Sequence, residues 1–422
     1  MEEILICLSL AMICGLLMTR LAKLIHLPAV TAYLVTGILL GPFVLGSLGI
    51  EGLGFTSLEE VDSFSIISQV ALAFIAFLIG NEFKVSELKS MGKQAITVGI
   101  LQAVVTTVVV DIGLIALHFI FPDAISLPAA ITLGAIASAT APAATLMVVN
   151  QYKAHGPLTK LLLMVVAIDD AVGLVLFSVS YGIADALEQG RVQFVNIVLE
   201  PVIEIVLSIV LGVVMGLALR KLETLFMSRA NRMAISIGVV VLTAAVSMTE
   251  MEIGGVKIGF SLLLTCMITG AIFCNTSDLS SGVMERDDRW TSPLNVLFFV
   301  ISGAELDLSI LTQPLVLLVG ITYIIFRSAG KIFGAFSSTK MTGCDEKIQR
   351  NLGITLLPQA GVALGMATTA ANLQDGALVR NVVLFSVMIY ELVGPTLTKM
   401  ALKKAGEISP DADAKKEKKA KA

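Results

Sequence analysis

Runs of about 20 apolar residues recur from one end of the chain to the other, each long enough to cross the hydrocarbon of a bilayer as a helix. Lipid offers no partner to a bare peptide group, so such segments must satisfy their backbone internally as helices. The spans fall near residues 3–25, 28–46, 63–83, 93–121, 127–150, 158–187, 198–226, 231–250, 257–275, 292–310, 314–338, 348–371 and 378–402, about thirteen in all. With 56% hydrophobic and 15% charged residues, and a mean hydropathy of +0.90, the sequence predicts an all-α polytopic membrane protein.

Short cytoplasmic loops retain Lys and Arg, and alternate connections here are basic. Arg20 and Lys23, Lys84, Lys89 and Lys93, Lys153 and Lys160, Arg220 to Arg232, and Lys340 to Arg350 mark one side. The intervening connections carry chiefly acids, among them Glu59, Glu60, Asp62, Asp123, Asp185 and Glu188. Ser277 to Trp290 is mixed and reads as a loop. The pattern places the N-terminus outside and the C-terminus in the cytoplasm. Residues 403–422, ending AKKEKKAKA, form a short charged tail that reads as solvated. The acidic opening, without a small-residue cleavage site, reads as a retained first helix. A net charge of −4, with no basic cluster before the extreme C-terminus, argues against nucleic acid as a partner. The five cysteines lack CxxC spacing, which implies neither a disulfide framework nor a zinc site.

Two pairs of strings resemble each other at the same offset. FLIGNEFKVSEL, Phe77 to Leu88, matches VISGAELDLSIL, Val300 to Leu311, setting Gly80 against Gly303, Glu82 against Glu305 and Ser86 against Ser309. LVTGILLGP, Leu34 to Pro42, matches MITGAIFCN, Met267 to Asn275. The offset is seven helices, an odd number, so the second copy enters the membrane from the opposite side. The reading is one transporter domain over residues 1–402, built as a six-plus-six inverted repeat: about 3–187, a linker helix about 198–226, and about 231–402.

Such repeats place interrupted helices at matching positions. The fifth and twelfth spans contain ASATAPAATL, Ala137 to Leu146, and LLPQAGVALG, Leu356 to Gly365, with Pro142, Pro358 and Gln359 at mid-span. Proline removes a backbone hydrogen bond, and small neighbours admit another chain, so two crossed broken helices are expected. Unwound peptide exposes carbonyls to a cation, and half-helix N-termini offer partial positive charge.

Within the sixth span, Asp169 and Asp170 are adjacent in an otherwise apolar run, and each carboxylate opposes insertion by roughly 2.5–3.5 kcal/mol. Neighbouring positions on a helix are rotated by about 100°, so the two acids serve different faces. One is expected to meet a protein partner and the other a cavity. Lys331, between Gly330 and Gly334 in the eleventh span, is the expected partner. Arg327, one turn earlier, is expected to pair with Asp111 or Glu391.

The adjacent Asp-Asp, the SATAP and LPQAG helices, the Ser328 to Lys331 run and the GNE and GAE helix ends resemble the monovalent cation:proton antiporter-2 superfamily, in particular its bacterial and archaeal sodium/proton antiporters with thirteen helices. The resemblance spans residues 1–402. It implies Asp170 as the carrier that exchanges a cation for protons, Asp169 and Lys331 as a breakable ion pair, and Thr140 with Ser138 as further oxygen ligands. It also implies electrogenic exchange, a homodimer in the cell inner (plasma) membrane, and a bundle of spans five, six, eleven, twelve and thirteen moving against spans one to three and eight to ten. Met164, Val165 and Val166 stand where electroneutral relatives carry a Glu-Ser pair, so that turn supplies no ligand.

The chemistry suits these residues. Sodium prefers oxygen donors, and a carboxylate removed from water holds a proton more tightly, so one acid can take either cargo but never both. The expected cargo is a monovalent cation and protons, with membrane lipid around the protein and no cofactor expected. His26, His118 and His155 lie near helix ends and read as loop residues. A potassium/proton antiporter is the alternative, because both ions accept the same oxygens. A cation channel is a more remote one. An intramembrane aspartyl protease fits poorly, since its acids face each other across one water.

Overall fold

The structure, a computed structural model, describes residues 2–24, 27–50, 54–189, 194–249, 251–253, 256–306, 308–370 and 373–408. The side chains of Glu82, Ser86 and Asp170 lie outside this description, as do His26 and the tail from residue 409. The helices in chain order are α1 (Glu2–Leu24), α2 (Ala29–Leu40), α3 (Leu58–Asp62), α4 (Ser65–Ile79), α5 (Val85–Ile120), α6 (Leu127–Ile136), α7 (Pro142–Tyr152), α8 (Pro157–Gln189), α9 (Phe194–Thr224) and α10 (Arg229–Ser247). After a two-stranded hairpin, Met251–Ile253 with Val256–Ile258, come α11 (Leu262–Thr276), α12 (Ser280–Ala304), α13 (Pro314–Met341), α14 (Glu346–Thr355), α15 (Gly361–Thr369) and α16 (Gly376–Ala405).

A helix or a pair of helices lies at each expected position. The fifth is the pair α6 and α7 and the twelfth the pair α14 and α15, while α3 is a short helix capped by Ser57, which accepts from Glu60 N. Seven helices are long and apolar enough to cross a membrane by length and composition. The second span is shorter than expected because Gly41 precedes Pro42, which drives it out of the helical region to φ −70°, ψ 170°. The mixed stretch Ser277 to Trp290 is not a loop: it is helical from Ser280 and forms the first turns of α12. Its charge masked an amphipathic period, with Val283, Met284 and Asp287 buried while Glu285 and Arg289 pair at 2.5 Å on the exposed side. His118 likewise belongs to the last turn of α5, where its Nδ1 lies 2.7 Å from Ile125 O.

The aligned glycines mark two equivalent crossings. A methyl group on Gly37 would lie 2.0 Å from Val300 O, and one on Gly303 would lie 2.2 Å from Leu34 O. Correspondingly, Gly270 would meet Phe77 O at 2.0 Å and Gly80 would meet Met267 O at 2.4 Å. Thus α2 crosses α12 as α11 crosses α4, with the aligned residues exchanged, as an inverted repeat requires.

Two apolar cores result. One joins α2, α4, α11 and α12 with Leu158 to Ala167 of α8; the other joins α6, α13, α15 and α16 with Phe177 and Ala184 of the same helix. Asp169 and Asp170 stand where α8 passes between them. Apolar side chains such as Leu17, Leu21, Val210 and Val214 remain exposed on α1 and α9, a surface suited to lipid.

Candidate ion-exchange site

Residues 137–141 and 356–360 are non-helical, and they meet where Ala141 N donates to Pro358 O at 2.9 Å. Pro142 opens α7 at a position whose N–H would be unpaired in any helix, so it begins a half-helix instead of kinking a whole one. Unwinding frees carbonyls, and Arg327 collects them: Nε donates to Ala137 O (3.0 Å), Nη2 to Ala139 O (2.7 Å) and Nη1 to Leu357 O (2.7 Å). Its guanidinium also lies 4.4 Å from the centre of the Tyr390 ring. Arg327 therefore pairs with neither Asp111 nor Glu391, contrary to expectation. A planar fork of donors matches several carbonyls of two unwound stretches better than it matches one acid. Asp111 Oδ1, packed against Gly134, has no hydrogen-bond partner among the described residues.

Gln359 extends this junction. Its amide nitrogen donates to Ile136 O (3.1 Å) and Tyr323 OH (2.8 Å), while its oxygen accepts from Ser386 Oγ (3.1 Å). The crossed segments are thus fixed by α13 and α16.

Lys331 is fully buried, and its Nζ lies 2.8 Å from Asp169 Oδ2, 3.0 Å from Gln102 Oε1 and 2.9 Å from Thr140 Oγ1, with Ser138 O as a further acceptor. Thr140 Oγ1 donates to Asp169 Oδ2 at 2.5 Å, and Gln102 Nε2 donates to Asp169 Oδ1. A single positive charge is held by a carboxylate from α8, an amide oxygen from α5, and a carbonyl and a hydroxyl from the unwound stretch 137–141. The donor types are those a hard monovalent cation accepts. Ser138 contributes its carbonyl to Lys331, while its hydroxyl donates to Ala135 O at 2.7 Å.

Gly330 and Gly334 do bring helices together, but the neighbour is α5. Methyl groups there would lie 2.9 Å from Thr106 Cα and 3.0 Å from Gln102 O. This approach delivers Gln102 to both members of the ion pair. Sequence reading missed Gln102, whose only signal is an amide in an apolar run, and missed Tyr390 and Ser386 on α16.

Met164, Val165 and Val166 are buried among apolar neighbours and supply no ligand. A cavity of about 580 Å³ adjoins the broken helix, lined by Pro142, Leu174, Phe177, Ser178, Glu204 and Glu305 among others, with two acids and no basic residue. A second, of about 540 Å³, lies at the other end of α7, against Asn150, Gln151, Lys23 and Asp288.

Comparison with known proteins agrees with this geometry. The family profile described as "Sodium/hydrogen exchanger, transmembrane" matches residues 8–404. The Na(+)/H(+) antiporter NhaS4 of Synechocystis sp. is 24% identical over 370 residues, covering 84% of both chains. K(+) efflux antiporter 2, chloroplastic, of Arabidopsis thaliana is 26% identical over 72% of this chain and 25% of its own. Among solved structures, the sodium proton antiporter MjNhaP1 from Methanocaldococcus jannaschii at pH 8 superposes with a TM-score of 0.70 at 19% identity, over 97% of this chain and 99% of that one. A fold of two interrupted helices crossing beside a buried lysine–aspartate pair, and a profile covering nearly the whole sequence, identify the chain as a member of the sodium/hydrogen exchanger family.

Proposed function

We propose that this exchanger carries sodium in one direction and protons in the other at Asp170, with Asp169 and Lys331 forming a breakable pair beside it. The observation that carries the reading is the Asp169–Lys331 pair seated on the unwound stretch at Ser138 and Thr140. The register of α8 supports the rest, because Leu174, Phe177 and Ser178, four, seven and eight positions after Asp170, line the larger cavity. An ion entering that cavity meets acids before it reaches the crossing.

Competition then couples the flows. Sodium or protons neutralise the carrier, and a neutral site crosses the low-dielectric barrier that opposes a charged one. Release of the Asp169–Lys331 pair in part of the cycle adds a second charge movement, which makes exchange electrogenic. We assign residues 3–187 and 231–402 to the two repeats and 198–226 to the linker, and place the protein as a homodimer in the cell inner membrane with its N-terminus outside. In that orientation the 580 Å³ cavity opens outward.

The 26% identity to a potassium efflux antiporter favours potassium as a second reading. Reconstituted exchange with sodium, lithium and potassium in turn, under a clamped membrane potential, decides between them. Saturable sodium/proton exchange that is lost in Asp170→Asn is the expected result. Normal exchange by that variant refutes the assignment.

A further inference from the structure

We propose that Glu407 is a positioning residue for exchange: it clips the start of α8, the helix that carries both aspartates, to the end of α16. The clip rests on the reading that α8 binds the transported ion. Gly406 ends α16 in the left-handed region at φ +83°, and the chain turns back so that Gly406 N donates to Lys403 O and Glu407 N to Leu402 O. This turn aims the Glu407 side chain at the opening turn of α8. Oε1 accepts from Leu158 N at 2.7 Å, and Oε2 accepts from Thr159 N at 2.7 Å and Thr159 Oγ1 at 2.6 Å. Glu407 O also accepts from His155 N at 3.1 Å.

The first N–H groups of a helix lack intrahelical partners and lie at its positive end, so a carboxylate there gains both hydrogen bonds and charge compensation. Helices normally take that cap from the preceding residue. Here it comes from 249 positions along the chain, and Glu407 is only 8% exposed. The neighbouring Gly156 makes room for it, since a Cβ there would lie 2.3 Å from Glu407 Cδ.

The remainder of α16 is tied to the other moving parts. Asp375, just before it, accepts from Ser126 N at 3.0 Å at the start of α6, and Ser386 in its middle holds Gln359 of the unwound segment. The α8 end of this strut is the Glu407 clip. Asp169 lies twelve residues beyond Pro157, about 18 Å along a helix that moves nearly as a rod. Axial slip at Leu158 therefore shifts Asp169 against Lys331 and Thr140, which belong to other elements. The clip sets the depth of the two acids.

The test is sodium titration of exchange in proteoliposomes for the wild type, Glu407→Ala, Glu407→Asp, Gly156→Ala and Asp170→Asn. Loss of the clip is expected to raise the sodium concentration for half-maximal exchange roughly three- to tenfold in Glu407→Ala and Gly156→Ala, with partial recovery in Glu407→Asp. A merely structural role lowers the maximal rate through fewer folded molecules and leaves half-saturation where it was. Unchanged half-saturation in both variants overturns the proposal, and Glu407→Gln replaces the alanine variant should that one not fold. Failure of the underlying ion-site reading is distinguished by Asp170→Asn, which would then exchange normally.

Discussion

Replacing Lys331 by alanine removes the only cation in contact with Asp169 among the described residues and leaves that carboxylate with two donors, Thr140 Oγ1 and Gln102 Nε2. Removing one member of a buried ion pair destabilises by about 3–5 kcal/mol, because the other charge keeps its desolvation without its partner. Three further acceptors, Ser138 O, Gln102 Oε1 and Thr140 Oγ1, lose their donor as well. For a chain of 422 residues such a loss corresponds to a drop of about 3–6 °C in melting temperature. The assay is thermal unfolding of purified protein in detergent, run beside Asp169→Asn/Lys331→Met. That double variant replaces both charges by neutral groups of similar volume, and it is expected to recover most of the loss or exceed the wild type. A melting temperature for Lys331→Ala within about 1 °C of wild type would refute the ion-pair reasoning. So would a double variant as unstable as the sum of its parts, since the two residues would then act independently.

Asp170→Asn is expected to abolish sodium/proton exchange while keeping the wild-type melting temperature, which fluorescence dequenching in proteoliposomes and the same thermal assay measure together. Gly37→Ala and Gly270→Ala place a methyl group 2.0 Å from a carbonyl oxygen across equivalent crossings, and each is expected to cost about 3 kcal/mol or more. Gly238→Ala, in the exposed middle of α10 with open space around it, is expected to stabilise by up to about 1 kcal/mol, and equal melting temperatures across these three variants would contradict the packing argument. Arg327→Lys offers a point charge where a fork now bridges three carbonyls, so a drop of several degrees with reduced exchange is expected, and wild-type behaviour would show that the carbonyls find other donors.

Some of this molecule is written in local sequence. Apolar run length fixed the spans, because lipid leaves a backbone no alternative to the helix. Pro142 and Pro358 located the two interruptions, since a missing N–H acts on its own helix whatever surrounds it. Lys331 could be matched to an acid because an isolated ammonium in hydrocarbon is too costly to stand alone. The repeat of Gly37 with Gly270 and Gly80 with Gly303 was visible as a string, although its meaning as two crossings was not.

Partner choice was decided by the fold alone. Arg327 had carboxylates to choose from in the sequence, yet it binds Ala137, Ala139 and Leu357 carbonyls, groups that carry no residue-specific signal and become acceptors only once both helices unwind against each other. Gln102 and Glu407 were equally silent, being ordinary polar residues until α13 presses on α5 and Gly406 turns the chain beneath α8. The difference has one physical source. Solvation and backbone geometry act on each segment by itself and so can be read along the chain, whereas a hydrogen bond depends on two groups meeting, and residues 248 positions apart meet only when the whole bundle has closed.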